Sequence, residues 1–119
     1  MKTKTLTRVL VLASLILPLG AFAAGAIAVD DEEGEADPGY GVVTGASSRD
    51  EAGRAAMAEC RKQGNKSCKV AVRFDTCGAY AASKKYSGIG YGRSADVAKT
   101  MAMNECGNNA CKVIVAECE

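Results

Sequence analysis

The sequence predicts an α+β fold of two tandem ββαβ repeats with pseudo-twofold symmetry, stapled by disulfides. Three observations carry this. The chain writes one cysteine-bounded motif twice, as ECRKQGNKSCKV from Glu59 to Val70 and as ECGNNACKV from Glu105 to Val113. Each copy follows a run of small apolar residues at helical spacing and leads into a β-branched run. The cysteines are Cys60, Cys68, Cys77, Cys106, Cys111 and Cys118, an even count in a short chain.

The first residues set the compartment. MKTKTLTR carries Lys2, Lys4 and Arg8, an apolar run from Val9 to Leu19 follows, and Ala21-Phe22-Ala23 is a small-x-small cleavage pattern. This is the layout of a secretory signal peptide, residues 1–23. The apolar run falls short of the roughly 20 residues that span a bilayer, and Pro18 and Gly20 break it. The mature chain is expected to be periplasmic or secreted, with no stable membrane insertion after cleavage. It would form a single domain, 24–119, of two repeats, 24–77 and 78–119.

The repeat extends beyond the cysteines. Gly25-Ala26-Ile27-Ala28 matches Gly78-Ala79-Tyr80-Ala81, Tyr40 matches Tyr86, Ser48 matches Ser94, and Ala52, Met57, Glu59 and Cys60 match Ala98, Met103, Glu105 and Cys106. Each unit opens on a short strand, Ala26 to Val29 and Ala79 to Ala82. A loop follows, then a glycine-rich strand, Tyr40 to Thr44 and Tyr86 to Tyr91, whose glycines mark bulges or a close backbone approach. A helix comes next. Ser48 and Glu51 form a capping box, and Ser94 caps the second helix with Asp96 in its first turn. Ala52, Ala55, Ala56 and Cys60 share one helical face, as do Ala98, Met101, Ala102 and Cys106, with Met57 and Met103 filling gaps at the flank. The last strands are Lys69 to Phe74 and Lys112 to Val115. The two units are expected to build one antiparallel or mixed sheet arrangement with the helices packed on it.

A pairing of cysteines that respects the repeat leaves about 7 of the 15 connectivities of six cysteines. Cys60 and Cys106 end helices on their buried faces, and Cys68 and Cys111 open the next strands. Gly107-Asn108-Asn109-Ala110 supplies residues that tolerate the left-handed conformation that ends helices. The expected bonds are Cys60–Cys68, Cys106–Cys111 and Cys77–Cys118, the last tying the ends of the two units. Zinc is disfavoured by the spacings and by the absence of histidine. The core needs such staples, because its apolar residues are mostly Ala, Val and Ile and bury little area each.

These residues are similar to those of a known family. The pattern G-A-[IY]-A, then Y-x3-G-Y-G-x-S-x3-A from Tyr86 to Ala98, then the helix-ending cysteine, the C-K-V strand and a final cysteine, resembles the domain of unknown function 4189 family. Its members are small exported bacterial proteins. The resemblance covers essentially the whole mature chain. It implies a tandem ββαβ fold held by disulfides, and no established catalytic residues. The sequence differs from that pattern in lacking tryptophan and in carrying an acidic insertion, Asp30 to Asp37.

The chemistry points to binding rather than catalysis. Without histidine the commonest general base is missing, and paired cysteines leave no thiolate. Gly88, Gly90 and Gly92 fit neither a phosphate loop nor a dinucleotide loop. No metal or other cofactor is implied, and DDEEGEAD does not match a calcium loop. Removing the leader's three basic residues from 15 leaves 12 against 14 acids, which argues against nucleic acid. The expected function is a non-enzymatic exported domain that binds a protein or cell-envelope component, as an inhibitor, immunity-type partner or host-interaction factor. The alternatives are an envelope-polymer hydrolase using a carboxylate pair and a purely structural secreted protein. The candidate partner surface comprises Lys84, Lys85, Tyr86, Tyr91 and Arg93, with Asp30, Asp31, Glu32 and Glu33 of the acidic loop.

Overall fold

A computed structural model describes residues 23–32 and 38–119. Residues 1–22 of the segment read as a signal peptide, and 33–37 of the acidic run with Glu33, lie outside the described residues. The elements are β1 (Ala24–Asp30), β2 (Gly39–Ala46), α1 (Arg49–Lys62), β3 (Lys69–Phe74), β4 (Cys77–Ala82), β5 (Ser87–Gly92), α2 (Ala95–Cys106) and β6 (Lys112–Cys118). Each unit is therefore ββαβ.

The strands form two three-stranded antiparallel sheets, ordered β2-β1-β3 and β5-β4-β6, rather than one. The cause lies in the first strand of each unit. Every residue of β1 and of β4 is buried, so both faces of each strand need a cover. Ala24, Ala26 and Ala28 cluster with Ala52, Ala56 and Cys60 of α1. Ile27 and Val29, on the opposite face, cluster with Val72, Phe74, Tyr80, Ala82 and Val115. In the second unit Ala79 and Ala81 meet Ala98, Ala102 and Cys106, while Tyr80 and Ala82 turn to the other sheet. The layers thus run helix, sheet, sheet, helix. β1 lies against β4, β2 against β6 and β3 against β5, an arrangement preserved when the two units are exchanged.

The register repeats as well. In both units the last strand carries one extra residue opposite the first, between Ile27 and Ala28 and between Tyr80 and Ala81. It also corrects one equivalence. Val29 faces Tyr40 and Ala82 faces Ser87, so Tyr40 corresponds to Ser87 rather than to Tyr86.

The glycines of the second strands answer to a close approach. A Cβ on Gly90 would lie 1.9 Å from the Ala98 carbonyl oxygen, and one on Gly88 2.3 Å from that of Ala102. The backbone of α2 rests directly on β5. This contact is too narrow for a wide apolar stripe. Ala98, Ala102 and Cys106 are buried, whereas Met101, expected on that face, is 37% exposed. Met57 and Met103 pack at the edges of the clusters. In α1, Ala55 is only half-buried and Gly53 joins the buried row.

The helix ends follow the capping rules in part. Ser48 Oγ accepts from Glu51 N at 3.0 Å and Ser94 Oγ from Val97 N at 3.1 Å. The Glu51 carboxylate does not return to Ser48 but takes the hydroxyl of Ser47, and that bond lowers its pKa. Gly107 ends α2 at φ 63°, the left-handed cap.

Cys60 bonds Cys68, Cys106 bonds Cys111, and Cys77 bonds Cys118. The first two join a helix end to the strand that follows. The third does not tie the two units together. Cys77 is the first residue of β4 and faces Cys118 across the β4–β6 ladder, so the bond closes the second sheet. Its counterparts in the first sheet, aligned by Gly25 with Phe74 and Gly78 with Glu117, are Ala24 and Asp75.

Two stability results are expected. Gly90→Ala forces α2 off β5 and costs about 1–3 kcal/mol, read as a fall in the urea midpoint. Removing disulfides as double alanine variants ranks by loop length. Loss of Cys77–Cys118, with a separation of 41 residues, costs about 4 kcal/mol, and loss of Cys106–Cys111, with a separation of 5, about 2 kcal/mol.

Candidate functional site

The end of β1 and the start of β2 meet the hairpin loop between β4 and β5 at one end of the sandwich. Asp30, Asp31, Pro38, Lys84, Lys85 and Tyr86 line a cavity of about 170 Å³ there, floored by Tyr80 and Ala82. On its other side the second hairpin borders a larger hollow of about 630 Å³, walled by Lys84, Lys85, Tyr86, Asn108, Ala110 and Lys112. Lys84 and Lys85 are exposed, and Tyr86 is 51% exposed. The hairpin is tight, with Ser83 N donating to Tyr86 O and Tyr86 N to Ser83 Oγ.

The two acids that open the loop behave differently. Asp30, expected on the exposed partner surface, is instead buried. Its Oδ2 accepts from Lys66 N at 3.1 Å and Ser67 N at 3.0 Å, and its Oδ1 from Glu32 N at 3.3 Å. These amides, Ser67 foremost, hold the carboxyl below its ordinary pKa. Asp30 thus pins the Cys60–Cys68 loop to the end of β1. Asp31 is half-buried. Its Oδ2 accepts from Tyr80 Oη at 3.0 Å, and its Oδ1 lies 3.6 Å from Lys69 Nζ. Burial, and then the Asp31 charge, push the Tyr80 phenol up to about 12. Glu32 is exposed beside them.

Tyr91 and Arg93 do not join this site. Tyr91 lies at the far end of β5, roughly 17 Å along the strand from Tyr86. It borders a separate hollow of about 540 Å³ with Arg49, Arg73 and Asp75. Arg49 Nη2 there meets Asp75 Oδ2 at 2.8 Å, and Arg73 Nε donates to Arg49 O at 3.1 Å. Arg93 is exposed just before the Ser94 cap. A strand that alternates faces over six residues separates what the sequence runs together.

The end of the sandwich, its hairpins and its three staples all fall within residues 24–118, which match the family model described as Domain of unknown function (DUF4189). The chain belongs to this family. No curated protein and no solved structure matches it. Among the described residues of this DUF4189 protein, no helix is long and apolar enough to cross a membrane, and no group of three or more His, Cys, Asp or Glu is placed to hold a metal ion.

Sequence reasoning missed Tyr80. Its position in an apolar strand marks it as core, and nothing local signals that its hydroxyl reaches Asp31. It also missed Asn108 and Ala110, which the repeat reading absorbs into a loop between cysteines.

Asp30 and Tyr80 shape the pH response of stability, with Glu51 adding to the acid side through its bond to Ser47. The Asp30 carboxylate is favoured by the fold, so its contribution is present above the ordinary carboxyl range. That contribution is lost as pH falls below 3.8 toward the lowered value. The neutral Tyr80 phenol is favoured by the fold, so stability falls as pH rises from 10 toward about 12. Urea midpoints across pH are expected to flatten on the acid side in Asp30→Asn and on the alkaline side in Tyr80→Phe.

Proposed function

We propose that this protein is an exported, non-enzymatic binding domain of the periplasm or the secreted fraction. On this reading it engages a protein or envelope component through the end where its hairpins meet. The observation that carries the reading is the convergence of Lys84, Lys85 and Tyr86, all exposed, on a cavity shared with Asp31 and Pro38. A half-exposed tyrosine beside two lysines is the composition of an interface anchor with a polar rim. One tight turn, closed by Ser83 N to Tyr86 O and Tyr86 N to Ser83 Oγ, holds Lys84, Lys85 and Tyr86 together, so little ordering entropy is spent on association.

Three disulfides support an oxidising compartment, and the signal-like leader supports export. All six cysteines are bonded and the chain has no histidine, which supports binding over nucleophilic catalysis.

Affinity capture from an envelope extract with the oxidised protein tests this. Lys84→Glu/Lys85→Glu/Tyr86→Ala is expected to lose its captured partner by at least about tenfold, and Tyr91→Ala to keep it. Equal capture by both variants defeats the proposal, provided both melt as the parent does.

A further inference from the structure

Each sheet has two edge strands, and three of the four edges are guarded. β3 carries Lys69 and Arg73, and β6 carries Lys112 and Glu117, charges of the kind that discourage strand addition. β5 is uncharged, but Glu105 of α2 reaches over and its Oε1 accepts from Ile89 N at 2.6 Å. That carboxylate occupies an outward donor of the edge. β2, GYGVVTGA, has no charge of its own, and the Glu119 carboxylate takes its Gly45 amide, at the end of the strand away from Tyr40 and Val42. Val42 is the register counterpart of Ile89, facing Ile27 as Ile89 faces Tyr80. The N–H groups of an antiparallel strand alternate, and the shared register puts that of Val42, like that of Ile89, on the side away from the central strand. The helix counterpart of Glu105 is Glu59, which lines the groove but bonds within its own helix instead of reaching a β2 amide. Its Oε2 accepts from Gln63 Nε2 at 3.1 Å, and its Oε1 is 4.0 Å from Lys62 Nζ. The duplicated unit keeps the guard residue, yet the first copy does not use it to cover its edge.

A hollow of about 540 Å³ runs along this open edge, between α1 and β6. Tyr40, Val42 and Val115 line it on the side of the opposite sheet, with Glu117 at its rim, and Glu59 and Gln63 line it on the helix side. We propose that β2 accepts an extended peptide as a fourth, antiparallel strand of the first sheet, with basic side chains toward α1 and apolar side chains toward β6. Backbone pairing with Tyr40 and Val42 gives the affinity, and the alternation of faces gives the specificity. Charge selects the occupant. Glu59 lines the groove on the α1 side, with Lys62 Nζ 4.0 Å from it, and Glu117 lies at the rim, so a basic segment with its charges toward α1 is attracted. A second copy of this chain pairing β2 with β2 would bring the same carboxylates together.

This site adjoins the hairpin surface at Pro38 and is tested separately from it. The probe is an eight-residue peptide of alternating lysine and valine, added to the oxidised, isotope-labelled protein, with amide hydrogen exchange as the readout. The Val42 amide is expected to slow by at least about tenfold, with Ile89 unchanged. A peptide with proline at its centre, or with glutamate in place of lysine, is expected to give less than a third of that effect. Glu59→Lys/Glu117→Lys is expected to abolish it, and Lys84→Glu/Lys85→Glu to retain it. No slowing at Val42, equal slowing at Ile89, or an undiminished effect in Glu59→Lys/Glu117→Lys overturns the proposal. Slowing at Val42 that rises with protein concentration in the absence of peptide also overturns it, in favour of a second copy.

Discussion

Each helix backbone lies almost directly on its sheet, and most of the structure follows from that contact. A Cβ on Gly41 would sit 2.2 Å from Cys60 N, and the equivalent position in the second unit, Gly88, is as close to Cys106 N at 2.4 Å. Such closeness admits only alanine, glycine and the cysteine sulfur between the layers. Small side chains give many contacts per atom but bury little area per residue. The helix-facing clusters are accordingly almost all alanine and cysteine. A layer this thin gains little from hydrophobic burial alone. The covalent bonds at Cys60 and Cys106 sit at the helix ends, where a lifted helix would first admit water.

The same contact explains what could and could not be read from the sequence. The duplicated motif shows the two units, the caps and the helix-to-strand staples, because these are local and repeated. Gly88 and Gly90 signal a close approach, and the structure identifies the approaching group as α2. The number of sheets is a different matter. A short, fully apolar strand such as Ala24–Asp30 reads alike whether its second face meets more of its own sheet's cover or another sheet. The role of Asp30 was hidden for a related reason. In DDEEGEAD it looks like one of six equivalent acids, and only the return of the α1–β3 loop, 36 residues on, turns it into a buried acceptor. Of the candidate surface, Lys84, Lys85 and Tyr86 stay together because one turn holds them. Tyr91 and Arg93 leave because a strand intervenes.

Comparison of the two copies separates what the fold requires from what each copy has specialised. The bulge in the last strand, the serine caps and the helix-end disulfide occur in both. They belong to the architecture. Asp30 has Ser83 as its counterpart, and each ties down the loop beside it, one by a carboxylate and one by a hydroxyl. Glu59 and Glu105 have the same position but different partners, so Glu105 covers an amide of its edge strand and Glu59 does not.

The end opposite the hairpins shows how one constraint is met in two ways. Gly25 and Gly78 are the second residues of the central strands and leave space between the sheets. The Phe74 ring fills it for both units, since a Cβ on Gly25 or Gly78 would lie 2.4 or 2.2 Å from that ring. Phe74 corresponds to Glu117, which is exposed, so the second unit has no ring of its own to contribute. Next to these positions the second unit has the Cys77–Cys118 bond, where the first has Ala24 and Asp75. The last residue adds a tie across the units, with Glu119 Oε1 accepting from Gly45 N at 2.7 Å. One aromatic ring serves both sheets, and the sheet that does not supply it is closed covalently. The third disulfide therefore stands where packing is asymmetric, which is why it has no equivalent in the first unit although the other two bonds are duplicated.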